Sequence, residues 1–464
     1  MASLNRRKFL SQTAAASGLG IPLSHWGTGG ACADPQRVAD AATLRVTGIE
    51  THQILLPYHQ FNASTLFRYH GLNIQLRTIY VVTTNRDGLE GYGDAWGRGW
   101  PQEEVDKYVG TNPFDWLGDT TTLPINMAIY DLLGKYLGIP VWKLLGPQVR
   151  DRVPVAAWTV SQTPAQMAKE VQHAAAQGYR WLKYHVDEVQ NVLDQTAAMQ
   201  RVAPPGFKIH FDFNANASFA AVAPIVKKLA QFPIAGRIED PLVASDPDGW
   251  GKLREMTALP IVTHHAPGDF MLHGRCDGHM SGHAAVGAAA KTAALAEIAN
   301  VPLMLQNAGG TINQAFTAHQ AAVFKMATMD HVNLARLWRD DVTVQSMPIR
   351  DGYVEVPQGP GLGVTLDRSK LAQYRAAPRP QQKPFLVRIR YGDGLTIFTR
   401  HNPEKPGCAD NMRFLQRLLG EKIPGPVPAY DNDVITDFWD EPDSAEFQRL
   451  WQATADGYVT VRTS

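Results

Sequence analysis

Three cysteines in 464 residues are too few for a disulfide framework, and no paired Cys-x-x-Cys spacing suggests a zinc ribbon. Net charge is missing too: 44 Lys plus Arg balance 44 Asp plus Glu. No global field recruits nucleic acid or an anionic membrane, so neither is an expected partner. The chain also lacks a long apolar run. Its nearest approach, Thr13 to Leu23, is short and rich in Gly and Ser, whereas a bilayer span takes about 20 apolar residues. There is no internal repeat, low-complexity tract, P-loop or nucleic-acid module. What the chain does have is length and a 44% hydrophobic fraction, enough for a large core and about two or three domains.

The first residues read as an address. Asn5-Arg6-Arg7-Lys8-Phe9-Leu10 is a twin-arginine pattern, and Ala31-Cys32-Ala33 is a small-residue cleavage site. Residues 1–33 are therefore expected to be a twin-arginine signal peptide that sends the chain to the periplasm or another extracytoplasmic space. The other readings are a basic tail and lipidation of Cys32, which lacks the usual preceding leucine. After cleavage only Cys276 and Cys408 remain, and they are expected to be unpaired.

The centre of the chain runs from Lys183 to His265. Four short apolar segments there end in reactive residues: Trp181-Leu182-Lys183-Tyr184-His185, Ile209-His210-Phe211-Asp212-Phe213-Asn214, Arg237-Ile238-Glu239-Asp240, and Ile261-Val262-Thr263-His264-His265. Stretches of helical length separate them. Buried strand, helix, strand is the repeat of a parallel α/β barrel, in which C-terminal strand ends face one pocket. Lysine, aspartate, glutamate and histidine on four successive strand ends would then converge. Carboxylate oxygens suit hard divalent cations.

These motifs, with Pro124 to Gly146 and Pro360-Gly361-Leu362-Gly363-Val364, resemble the enolase superfamily, in its mandelate racemase/muconate lactonizing enzyme branch. The resemblance covers roughly residues 43 to 375. It implies an α/β fold: a modified TIM-type (β/α) barrel over residues 151–375, with an N-terminal α+β capping domain over residues 43–150. Residues 376–464 lie beyond it as an extension. A Pro-rich linker there leads to an expected β-hairpin, Phe385 to His401, and two helices, Asp410 to Leu419 and Ser444 to Thr454. The cap is expected to supply strands over Leu44–Leu56 and Leu76–Thr84, with Gly91 to Gly97 leading into a helical region. Its polar run Tyr58 to Asn62, with Arg68-Tyr69-His70, sits where the family carries specificity loops; an ordinary solvated loop is the other reading.

The resemblance also assigns roles. Asp212 and Glu239 match the first two metal ligands, and counting along the fifth strand puts His265 in place of the third carboxylate. Magnesium is the expected cofactor; a histidine ligand shifts preference toward manganese, iron or zinc. Lys183 matches the first lysine of a pair whose second member is His185 here, so Lys183 is the expected base for the α-proton, and His185 is a candidate base, acid or substrate contact. Lys183 could instead simply balance the two carboxylates. Asp277, aligned with the end of strand six, is a candidate acid. Asn214, Gln306 and Asn307 are candidate substrate contacts, and Asp240 is expected to cap the following segment. The usual second bases are missing: Gln306 replaces a strand-seven histidine, Met280 replaces a lysine, and an amide does not titrate. Asp277 follows His265 by twelve positions, too few for a strand–helix–strand unit of roughly thirty residues, so the fifth helix should be a loop. Gly309-Gly310-Thr311 opens a helix whose amides could hold a carboxylate or phosphate.

The reading that follows leans to an enzyme: an exported, metal-dependent lyase or isomerase abstracting the proton α to the carboxylate of an acid-sugar-like small molecule, with dehydration preferred to racemisation. The chain is expected to be a homo-oligomer. The alternative is a degenerate barrel that binds a small molecule or acts as a scaffold.

Overall fold

A computed structural model describes residues 40–70, 75–186, 190–215, 217–380, 384–400 and 435–462. The leader with Cys32, the side chains of Arg68, Tyr69 and His70, Cys408 and the expected helix from Asp410 lie outside the described residues.

Three strands open the described fold: β1 (Val46–Leu55), β2 (Leu76–Thr84) and β3 (Glu90–Trp96), an antiparallel sheet in that order. β3 is the segment expected to lead into a helical region, and the short helix Gln102–Asp106 does follow it. Its glycines have a packing reason. The helix Leu123–Leu137 lies so close across the sheet that a Cβ on Gly91 would come 1.9 Å from the Ala128 carbonyl oxygen, and one on Gly93 equally near that of Pro124. Strand propensity gives way there to close backbone approach. Asp131 on this helix pairs with Lys135 at 2.6 Å, as its spacing predicts, and also accepts the amides of Tyr92 and Leu362.

The barrel follows as β4 (Arg152–Val160), β5 (Trp181–His185), β6 (Lys208–Asp212), β7 (Ala235–Glu239), β8 (Ile261–Thr263), β9 (Gly278–Gly282), β10 (Leu303–Asn307) and β11 (His331–Asn333). Each pairs in parallel with the next, and β11 pairs back with β4, which closes the barrel. Alternation sorts the side chains. Leu182, Tyr184, Ile209, Phe211, Ile238 and Ile261 face the surrounding helices in one core cluster. Each such burial contributes about 1.5–3 kcal/mol. Ala156, Trp158, Val262, Met280, Met304 and Val332 belong to the cluster that also holds the cap residues Ile54, Leu66 and Leu123. Leu44–Ser464 thus forms one compact unit. The fifth helix is reduced to the single turn Asp269–Leu272, as the short spacing requires.

β12 (Tyr353–Glu355) adds antiparallel to β4, and the helix Arg368–Arg375 returns to β1. The extension holds more strand than expected. β13 (Leu386–Arg390) and β14 (Leu395–Arg400) form the hairpin, but β15 (Ile435–Trp439) and β16 (Tyr458–Arg462) flank it in a sheet of order β15-β13-β14-β16. The helix Ala445–Ala453 is capped by Ser444 and buries Phe447 and Leu450 against Trp439 and Phe398. Cys276 is buried and free. Among the described residues, no helix is long and apolar enough to cross a membrane.

Candidate active site

Register sets the site. His185 on β5 pairs with Asp212 on β6, Asp212 with Glu239 on β7, and Glu239 with Val262 on β8. Residues two apart share a face, so Lys183 and His185, His210 and Asp212, and Arg237 and Glu239 form two tiers on the barrel axis. Lys183, level with His210 and Arg237, reaches up into the upper tier, where its fully buried Nζ lies 3.0 Å from Asp212 Oδ2 and 2.7 Å from Glu239 Oε2. It donates to Glu239 Oε1 at 2.8 Å and to Gln306 Oε1 at 2.7 Å. His185, only 8% exposed, stands above with Nε2 3.4 Å from Asp212 Oδ2, edge-on to Trp158 at 4.9 Å.

The lower tier was not anticipated from the sequence. Arg237 Nε donates to His210 Nδ1 at 2.9 Å, Arg237 pairs with Asp330 at 3.2 Å, and its guanidinium lies over Trp181. With Nδ1 accepting, neutral His210 carries its proton on Nε2, 2.7 Å from Glu239 Oε2. The signal was available: both residues sit two positions before a site carboxylate.

Burial dominates the electrostatics. It pushes Asp212 up to about 6, with the Glu239 carboxylate adding to the effect and Lys183 opposing it. Burial likewise raises Glu239 against the pull of Lys183. Burial works against the Lys183 ammonium, but Asp212 and Glu239 outweigh it and hold its pKa above the ordinary value. Two buried carboxylates against one ammonium leave an uncompensated negative charge.

Residues 166–370 match the family model described as enolase C-terminal domain-like. The chain superimposes on muconate cycloisomerase from Pseudomonas fluorescens with a TM-score of 0.59 and 22% identity, over 72% of this chain and 99% of that one. The chain carries the enolase-superfamily fold. A D-gluconate dehydratase from Thermoproteus tenax is 27% identical over 290 residues, which span 56% of this chain and 57% of that enzyme. A D-galactonate dehydratase from Ralstonia pickettii is 28% identical over 272 residues, 53% of this chain and 71% of that one.

Several expected residues stand elsewhere than the superfamily pattern suggested. Val262 faces the axis, so alternation turns His264, not His265, toward Glu239, with Nδ1 3.6 Å from Oε1. Gly282 on β9 makes room for it: a Cβ there would lie 2.2 Å from His264 Nε2. His265 Nδ1 instead contacts Asp240 Oδ2. That hydrogen bond first, then the carboxylate charge, holds the imidazole above its ordinary pKa despite partial burial. Asp240 is buried at φ 44° and accepts the amides of His264 and His265 at 2.8 and 3.1 Å, so it caps the turn after β8 rather than the segment after itself. Asp277 is not at the pocket. It precedes β9, at the opposite end of the barrel, where it pairs with Arg254 at 2.6 Å and accepts the Ile261 amide. Asn307 turns outward and donates to Thr317 at 2.9 Å. Gln306 is in the site, bonded to Lys183. Asn214 lies beside it: its amide donates to Asp212 Oδ1 at 2.9 Å and so orients that carboxylate. The helix start at Gly310-Thr311 is already filled, since Asp94 and Asp341 accept those two amides and both pair with Arg77. At the cap side of the mouth, Trp96 faces His283 with ring centroids 6.3 Å apart.

A divalent cation fits beside Asp212 and Glu239. Glu239 Oε2 is buried and, although Lys183 and His210 lie close, neither is directed to hydrogen-bond it. The excess negative charge on Asp212 and Glu239 favours a further cation. Beside them, donor atoms of Asp240, His264 and His265 lie within 4.8 Å of one another, a second group able to hold a metal ion.

Proposed function

We propose that this chain is a metal-dependent acid-sugar dehydratase. The observation that carries the reading is the level pair Asp212 and Glu239 closing on Lys183 with His185 above; the dehydratase relatives support it. Asp212 and Glu239 would hold the cation, which when bound neutralises the substrate carboxylate and makes the adjacent C–H bond more acidic. Magnesium or manganese suits two carboxylates, and an imidazole in third place tilts the preference toward manganese, iron or zinc. Lys183, buried and tied to both carboxylates and Gln306, holds a fixed positive charge near the substrate carboxylate. His185 is nearer the mouth and takes the proton from the α-carbon. Dehydration is preferred to racemisation because the strand-seven position opposite is Gln306, which cannot accept a proton.

The twin-arginine pattern supports export, placing the reaction outside the cytoplasm. The test uses residues 34–464, loaded in turn with magnesium and manganese and supplied with D-galactonate and D-gluconate. The expected result is a 2-oxo-3-deoxy acid, absent with Asp212→Ala. Binding of these acids with neither product nor exchange of the α-proton would favour the degenerate binding barrel, a reading motivated by Lys183 already bridging the carboxylates.

A further inference from the structure

We infer that Glu170 is a positioning residue: one buried carboxylate that ties the cap segment 58–62 to the barrel and holds the wall on which His185 packs. Its kinetic readout rests on the dehydratase reading; its structural readout does not.

Glu170 lies on the helix Pro164–Ala176, whose other buried residues are Met167, Val171 and Ala174. A barrel helix fills such a place with an apolar side chain, because a buried charge is costly unless it is paired and hydrogen-bonded. Here four donors converge on it. Its Oε1 accepts from Asn62 Nδ2 at 2.9 Å, Thr159 Oγ1 at 3.0 Å and Gln162 Nε2 at 2.6 Å, and its Oε2 accepts from Arg336 at 2.9 Å. Burial works against the carboxylate, but Arg336 first, then Asn62 and Gln162, hold its pKa below the ordinary value. The hub therefore stays charged.

The donors come from separate elements around the mouth. Asn62 belongs to the cap, Thr159 and Gln162 to the end of β4, and Arg336 to the turn after β11. β4 and β11 are neighbours, and C-terminal strand ends face the pocket. One line from Glu170 reaches the site through Arg336, which also donates to the Trp158 carbonyl oxygen at 3.2 Å; the Trp158 ring meets His185 edge-on. A second runs through Gln162, whose carbonyl oxygen accepts from Gln195 Nε2 at 2.6 Å, while Gln195 Oε1 accepts from the Tyr184 hydroxyl at 3.0 Å. Tyr184 stands between Lys183 and His185 on β5, so holding its outward side chain fixes the inward turn of those two. On the cap side, Gln166 donates to the Phe61 carbonyl oxygen and the Arg339 amide to that of Pro57, and Tyr58 and Asn62 are buried. The segment 58–62 is thus a fixed wall rather than a solvated loop. An apolar residue at position 170 could fill the space, but only an acceptor gathers these donors.

The test compares the metal-loaded parent, residues 34–464, with two variants. Asn62→Ala frees the cap alone. The paired change Glu170→Met with Arg336→Met replaces the ion pair by apolar volume, which should spare the fold. Melting midpoint, bound metal, hydrogen exchange of the amides over residues 57–66, and kcat and KM for D-galactonate and D-gluconate are measured. Asn62→Ala should raise KM about tenfold with kcat within about twofold. The paired change should lower kcat by about 10- to 100-fold with midpoint and metal retained. Both should speed exchange over residues 57–66. A merely structural role predicts activity that follows the midpoint. A paired variant as stable and as active as the parent, or unchanged exchange in Asn62→Ala, overturns the assignment. Should the paired variant fail to fold, the KM and exchange of Asn62→Ala decide alone. A parent that does not dehydrate removes the dehydratase reading, and the exchange result then decides this one.

Discussion

Replacing Lys183 with methionine keeps the volume and removes the charge. Two carboxylates, Asp212 and Glu239, then face each other in a buried tier without the ammonium that lies 3.0 and 2.7 Å from them. Stripping one partner from a buried ion pair costs about 3–5 kcal/mol. At about 2 °C per kcal/mol for a chain of this size, the metal-free melting midpoint should fall by about 6–10 °C. The cost has a sign in pH. Burial raises Asp212 to about 6 and raises Glu239 as well, so the folded state binds protons more tightly than the unfolded chain. Stability is then fully present below the ordinary carboxylate pKa and falls as pH rises through about 6. Lys183→Met should accentuate that slope, with a smaller deficit at pH 5 than at pH 8. Added manganese or magnesium should rescue it, since a ligand at 100 times its Kd adds about 2.7 kcal/mol. Calorimetry at both pH values, with and without metal, reads all three effects. An unchanged midpoint at pH 8, or a deficit larger at pH 5, would refute the claim that Lys183 balances this pair.

Gly282→Ala would put a methyl 2.2 Å from His264 Nε2, and overpacking of this kind costs about 1–3 kcal/mol; the midpoint should fall, and dehydration more than tenfold, measured by product formation. Asn307→Ala and Asp277→Asn should leave KM for the acid sugar within about twofold while lowering the midpoint, because their partners Thr317 and Arg254 lie away from the pocket. Arg237→Met strands the half-buried Asp330 and leaves His210 Nδ1 without its donor; unfolding should become easier by about 3 kcal/mol, read by chemical denaturation. Changing Arg6 and Arg7 to lysine should leave the protein in the cytoplasm, scored by fractionation; export of the altered leader by the same route would count against the twin-arginine reading.

The barrel was legible because its strands are short apolar runs with polar ends, and that pattern survives without knowledge of packing. Asp212 and Glu239 stand level because each closes such a run. The errors cluster where the pattern is thin. With the fifth helix reduced to Asp269–Leu272, no helical pattern marks where β9 begins, and Gly278 to Gly282 is too poor in branched residues to announce a strand. Asp277 was therefore placed at the wrong end. On β8 the axis-facing residue is Val262, not Ile261, and a count that begins one residue off exchanges faces and substitutes His265 for His264. Asn307 fell to the same rule, since it neighbours the inward Gln306. β3 was hidden by glycines whose reason is another element, the helix across the sheet. β15 and β16 were missed because they pair with a hairpin far away in sequence.

The two-tier interior explains how the site can tolerate its missing carboxylate. A barrel axis is ordinarily filled by branched apolar side chains, yet here Asp330, Arg237, His210, Glu239, Lys183 and Asp212 run in contact from one end toward the mouth. Three carboxylates and two cations alternate along it, with a neutral imidazole between Arg237 and Glu239. Alternation matters because an unpaired buried charge costs several kcal/mol, whereas each member here has an opposite charge or a hydrogen-bonding partner beside it. A third carboxylate in place of His264, 3.6 Å from Glu239, would leave a second negative charge without a cation of its own. An imidazole there keeps a donor atom beside Glu239 without adding that charge. The substitution that most weakens the likeness to the superfamily is thus the one the electrostatics of this interior favour.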